Sequence, residues 1–215
     1  SIVLSAYTSA TSTSYYGFYL GSSTTIRASQ NITFQGSTLL AATTGSGIII
    51  NAATATTPVF ATANAGAALV GPGTTTSIYA DGAITATSGY VQFAGNTSVA
   101  GLVTAVGGVA LSGNATYSFT NTSNNIASLA ASVGSGTISL SYSSNLTVGT
   151  VNSIAGIAAG SVSLTQSASD GGNNITNINA TVSAASGVTV SGGEIVVGAS
   201  GSVATTTGAL TLQPG

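Results

Sequence analysis

Very few side chains in this sequence could carry acid–base, nucleophilic or metal chemistry. The ionisable set is Arg27, Asp81, Asp170 and Glu194 with eight tyrosines, and His, Lys and Cys are absent. Asp81 in "YADGA" and Glu194 in "GGEIV" stand alone, so the carboxylate pair that glycoside hydrolysis needs is not apparent. Serine is abundant, but no His or Lys is present to activate a hydroxyl. "SASDGGNNITN" (167–177) sets Asp170 near Asn173 and Asn174. A calcium site wants several carboxylates, so a tight turn is expected there. "GPGTTT" (71–76) lacks the lysine of a phosphate loop. Arg27 is expected to pair with Asp81 or a terminus, or to face solvent. Neither an enzyme, nor a cofactor, nor a metal site is expected.

Two other groups of residues could make contacts. Asn-X-Ser/Thr sequons occur at Asn31, Asn96, Asn114, Asn121, Asn145, Asn174 and Asn179. They are candidate glycosylation sites, and asparagine also turns corners and stacks in ladders. "SAYTSATSTSYYGFYLG" (5–21) gathers Tyr7, Tyr15, Tyr16, Phe18 and Tyr19. Such rings suit a cap over an open core, a subunit contact or a surface that grips a glycan.

Composition narrows the partners. Only 2% of the 215 residues are charged and 43% are apolar. Mean hydropathy is +0.51 and the pI is near 4.1. One arginine cannot neutralise a nucleic-acid backbone or an anionic membrane surface. No run is long and apolar enough for a membrane-spanning helix. The chain opens at Ser1 without a basic, apolar leader, which suggests a processed or excised segment. With so little charge to titrate, stability is expected to be nearly independent of pH. An uncharged chain made soluble by hydroxyls and amides fits extracellular, assembling material.

The elements that must position these residues read as strands. "VQF" (91–93), "VAL" (109–111), "ISL" (138–140), "VSL" (162–164), "VTV" (188–190) and "LTL" (210–212) each place a small or polar residue between two apolar ones. Their first residues are separated by 18, 29, 24, 26 and 22 positions. A recurrence of this length with one strand signature per period marks a solenoid. The expected fold is all-β, a parallel β-helix over 31–215 preceded by the aromatic segment 1–30. Its narrow core should favour small aliphatics, and residues 143–215 contain no aromatic ring.

"NLTVGTVNSIAGIAAGSVSLTQS" (145–167), "NITFQGSTLLAATTGSGIIINA" (31–52) and "GGEIVVGASGSVATTTGALTLQPG" (192–215) resemble repeats of bacterial filamentous-haemagglutinin-like exoproteins and related surface adhesins. The resemblance implies a right-handed parallel β-helix, an extracellular or cell-surface location and a structural or adhesive role. The near-total loss of Asp and Lys departs from that family. The chain is also similar to archaeal surface-filament proteins, β-sandwich subunits that lend a strand to a neighbour. In that alternative "SIVLSAY" would be the donor strand. The expected function is a non-enzymatic filament, fibre or adhesin stalk, with a glycan- or surface-binding adhesin module as the competing reading. The expected partner is a second copy stacked head to tail or a larger parent chain, with a glycan or cell surface as a further one. Ice binding through threonine ladders finds no constant Thr-x-Thr spacing to support it.

Overall fold

In the computed structural model of the chain, residues 90–167 and 174–214 are described throughout. Before Tyr90 the described residues are those of nine short strands, as backbone alone except at Ile84. These strands are β1 (Ile2–Ala6), β2 (Tyr19–Leu20), β3 (Ile26–Ala28), β4 (Ile32–Gly36), β5 (Ile48–Ile50), β6 (Pro58–Thr62), β7 (Ala67–Val70), β8 (Ser77–Ala80) and β9 (Ala83–Ala86). There follow β10 (Val91–Ala94), β11 (Asn96–Val99), β12 (Val103–Ala105), β13 (Val109–Ser112), β14 (Thr116–Phe119), β15 (Asn125–Ile126), β16 (Ser128–Ser132), β17 (Thr137–Tyr142) and β18 (Leu146–Val148). The last are β19 (Thr150–Val151), β20 (Ile154–Ala155), β21 (Ile157–Gln166), β22 (Ile175–Ile178), β23 (Thr181–Gly192), β24 (Glu194–Val197), β25 (Ser202–Thr205) and β26 (Ala209–Pro214). No helix occurs among the described residues, so none there is long and apolar enough to cross a membrane.

Two-residue alternation creates these strands. In β17 the apolar Ile138, Leu140 and Tyr142 are buried, while Thr137 and Ser139 are exposed and Ser141 is half-buried. One such strand cannot cover its apolar face, so it stacks on the equivalent strand of the next coil. The first ladder runs β1–β4–β7–β10–β13–β16 and continues through the starts of β21 and β23 to β25. The second runs β2–β5–β8–β11–β14–β17, then the ends of β21 and β23, then β26. A third joins β3, β6, β9, β12 and β15, and β18, β22 and β24 form a further run. All of these described pairings are parallel, and β19–β20 is antiparallel. The fold is a parallel β-solenoid.

This architecture corrects the β-sandwich alternative, whose sheets would be antiparallel. The proposed donor segment lies in its own chain's sheet, with Ile2 opposite Ile32 and Ala6 opposite Gly36. Strands on both sides of residue 30 share the same three ladders.

The uneven spacing in the sequence has a simple origin. Val91 and Val109 are partners in the first ladder. Ile138, Val162, Val188 and Leu210 are successive partners in the second. The 29-residue interval is therefore a change of face, and the remaining intervals are true coils. Within the second ladder Val99, Phe119, Leu140, Leu164, Val190 and Leu212 form one column.

The interior differs from expectation in one respect. Phe93, Tyr117, Phe119 and Tyr142 are the largest fully buried side chains, so the earlier coils do accommodate rings. Phe93 and Phe119 meet edge to face at 5.2 Å. The hydroxyl of each buried tyrosine finds a hydrogen-bond partner. Tyr117 Oη donates to the Ser112 carbonyl and accepts from the Gly95 amide, and Tyr142 Oη lies 2.6 Å from Thr176 Oγ1. From residue 143 onward the core is aliphatic, built on Leu146, Ile157, Val162, Leu164, Ile178 and Val188 among others.

Candidate functional site

The ionisable side chains are not brought together by any described contact. Glu194 is exposed at the start of β24. Arg27 is known by its backbone alone, opposite Ala61, and Asp81 and Asp170 lie outside the described residues. Among the described residues no group of three His, Cys, Asp or Glu could hold a metal ion. Tyr7, Tyr15, Tyr16 and Phe18 also lie outside them, and the Tyr19 backbone pairs with Ile49.

The polar groups that do converge hold neighbouring coils to each other. Asn124 is fully buried: its Oδ1 accepts from the Val103 amide at 2.8 Å and its Nδ2 donates to the Ser141 carbonyl at 2.9 Å. One amide thus links the preceding coil to the following one. Gln166 repeats the device at the end of β21, donating to the Ser144 carbonyl and accepting from the Gly193 amide, each at 2.9 Å. Gln166 continues the inward alternation of Val162 and Leu164, and that is the sequence signal by which it could have been found. Asn124 carries no comparable signal, since it sits in a corner rather than in a strand. The Ser144 hydroxyl nearby is buried without a hydrogen-bond partner.

The sequon asparagines are used in related ways. Asn96 Oδ1 accepts from the Thr116 amide and Asn145 Oδ1 from the Ile175 amide, at 2.8 and 2.7 Å. Asn114 Oδ1 accepts from Ser135 Oγ at 2.7 Å. Asn121 Nδ2 donates to the Ala100 carbonyl at 3.2 Å and Asn174 Nδ2 to that of Ser143. Asn179 is exposed, with its Oδ1 over Gly198 of the next coil. Asn31 lies outside the described residues. Amides that stack from coil to coil in this way satisfy corner backbone groups that the ladders leave open.

Two surfaces stand out. On the second ladder Ser98, Ser118, Ser139, Ser163, Thr189 and Thr211 occupy one outward row, partner to partner. Outward Thr116, Thr137 and Ser161 run beside it, with Thr137 Oγ1 donating to Thr116 Oγ1 at 3.3 Å. Parallel strands set successive rows about 4.8 Å apart. The face is uncharged and lined with hydroxyls. At the last described coil Val197, Leu210 and Leu212 are 45%, 47% and 40% exposed, whereas their partners Ile178, Val188 and Val190 are buried.

No protein-family model, curated protein or solved structure matches the chain. The geometry of the site supplies backbone ladders, an apolar column and neutral hydrogen-bonding amides.

Proposed function

We propose that this chain is a non-enzymatic, extracellular structural protein, a β-solenoid rod that forms or supports a cell-surface filament, fibre or adhesin stalk. The observation that carries the reading is the unbroken column from Val99 to Leu212, backed by amides such as Asn124 and Gln166 that tie each coil to its neighbours. Every coil adds parallel backbone hydrogen bonds and buried aliphatic surface, so bending the rod would have to break both. A neutral hydroxyl surface keeps such a rod hydrated over a wide range of salt, because there is little charge to screen. Its natural partner is another coil of the same kind, which would cover Val197, Leu210 and Leu212. Glycosylation, where it occurs, would suit Asn114, Asn145 and Asn179, which are exposed and whose Nδ2 groups have no described partner.

An antibody raised against the folded chain tests this reading. Labelling of intact source cells along thin surface projections is the expected result. Signal that appears only after the cells are lysed would overturn it.

A further inference from the structure

The antiparallel pair β19–β20 is a small hairpin set on the outside of the solenoid. Its root is closed by the Gly156 amide donating to the Gly149 carbonyl at 2.7 Å, while Gly149 itself donates to Leu129 of the previous coil. Its two turn residues, Asn152 and Ser153, have φ of 46° and 65°. Two successive positive φ values match the tight hairpin turns whose twist suits paired strands.

The hairpin lies across coils that are distant in sequence. Gln92, Ala110 and Ala130 are successive partners in the first ladder and alternate with the inward residues, so they point away from the core. Ala110 and Ala130 are nonetheless completely buried, because they cluster with Val151, itself 3% exposed, and with Tyr90 and Ile154. Gly108, between these coils, has no room for a side chain, since a Cβ there would collide with Ser128 and with Val151. At the tip Asn152 Nδ2 donates to Gln92 Oε1 at 2.7 Å, across sixty residues of sequence. The hairpin thus starts at the coil of β16 and ends at the coil of β10, running along the axis while the strands run across it.

We infer that β19–β20 is an axial clamp that makes the coils of β10, β13 and β16 open as one unit. A ladder of coils held by nearest-neighbour contacts alone can peel one coil at a time. A second apolar cluster and a polar tether that span three coils remove that option, since freeing β10 or β13 requires lifting the hairpin as well. The rod then has a clamped section around β10–β16. The later strands β24–β26 have no described contact with the hairpin and lack this restraint, whereas Gly156 at its root lies against the Thr181 backbone of β23. The clamp governs the cohesion of the rod wherever the rod is displayed.

Native-state hydrogen exchange on Val151→Ala, read residue by residue, tests the clamp. Losing two buried methyl groups should speed exchange of the β10 and β13 amides about tenfold, leaving β24–β26 unchanged. Acceleration confined to residues 149–156 would overturn the clamp and leave the hairpin a surface ornament. If Val151→Ala does not fold, Asn152→Gly gives the same comparison, keeping the positive φ of the turn while removing the tether to Gln92. Faster exchange at β10 supports the clamp, and a change limited to the hairpin rejects it.

Discussion

Asn124 uses both ends of its side-chain amide on backbone groups of the coils above and below it. Replacing it with alanine strands a buried Val103 amide and removes the donor to Ser141. The expected cost is about 2–4 kcal/mol of stability, since each buried group left unpaired costs about 1–3 kcal/mol. Urea unfolding followed by circular dichroism measures it, and Asn114→Ala, at an exposed corner, should stay within about 0.5 kcal/mol of the parent. Tyr117 sets a different limit. Burial pushes its phenol up to about 12, against the lowering effect of its bonds to Gly95 and Ser112. Burial also raises Tyr142, partly offset by its bond to Thr176. The folded state therefore keeps protons that the unfolded chain releases above the ordinary tyrosine value near 10. Stability from these groups is complete below that value and falls as pH climbs towards 12. The urea midpoint should hold level between pH 8 and about 10 and drop above it, and Tyr117→Phe should shallow the drop. A midpoint that stays level through pH 12 would refute the burial argument. The near pH-independence expected from composition thus has an alkaline limit set by two buried rings.

At the scale of elements, the solenoid's strands were legible and its hairpin was not. Alternation in "ISL", "VSL", "VTV" and "LTL" reports a real column, because inward aliphatics of one ladder recur once per coil. The corresponding strands "TSV" (97–99) and "YSF" (117–119) stand in the same ladder, yet they carry Thr97 and Tyr117 in place of aliphatics. Without them the alternation merges two faces into one apparent repeat. In the third ladder β15 has only two residues, too few for a period to show. The hairpin was hidden because "TVNSIA" places serine where such turns usually carry glycine. Ser153 at φ 65° is correspondingly strained, and a glycine would relieve it. Ser153→Gly should raise stability by about 0.5 kcal/mol, the net of relieved strain and the extra entropy glycine loses on folding. A thermal melt shows this as a higher midpoint, and an unchanged or lower one would argue against the turn. The bridging amides were harder still to foresee. Which carbonyl Asn124 meets depends on coil length, and coil length is set by corners that have no fixed sequence.

The whole molecule is a stack of parallel coils in which sequence distance converts to axial distance at one strand spacing per coil. The outward row Ser98, Ser118, Ser139, Ser163, Thr189 and Thr211 makes that spacing measurable, and the absence of native cysteine makes site-directed labelling clean. Cysteine pairs placed on this row and spin-labelled can be read by pulsed electron spin resonance. Separations should grow by about 4.8 Å for each coil crossed, placing Ser98 and Thr211, five coils apart, at about 24 Å between backbones. Pairs whose distances do not increase in step with the number of coils between them would contradict the stacked rod, and with it the structural role proposed for this chain.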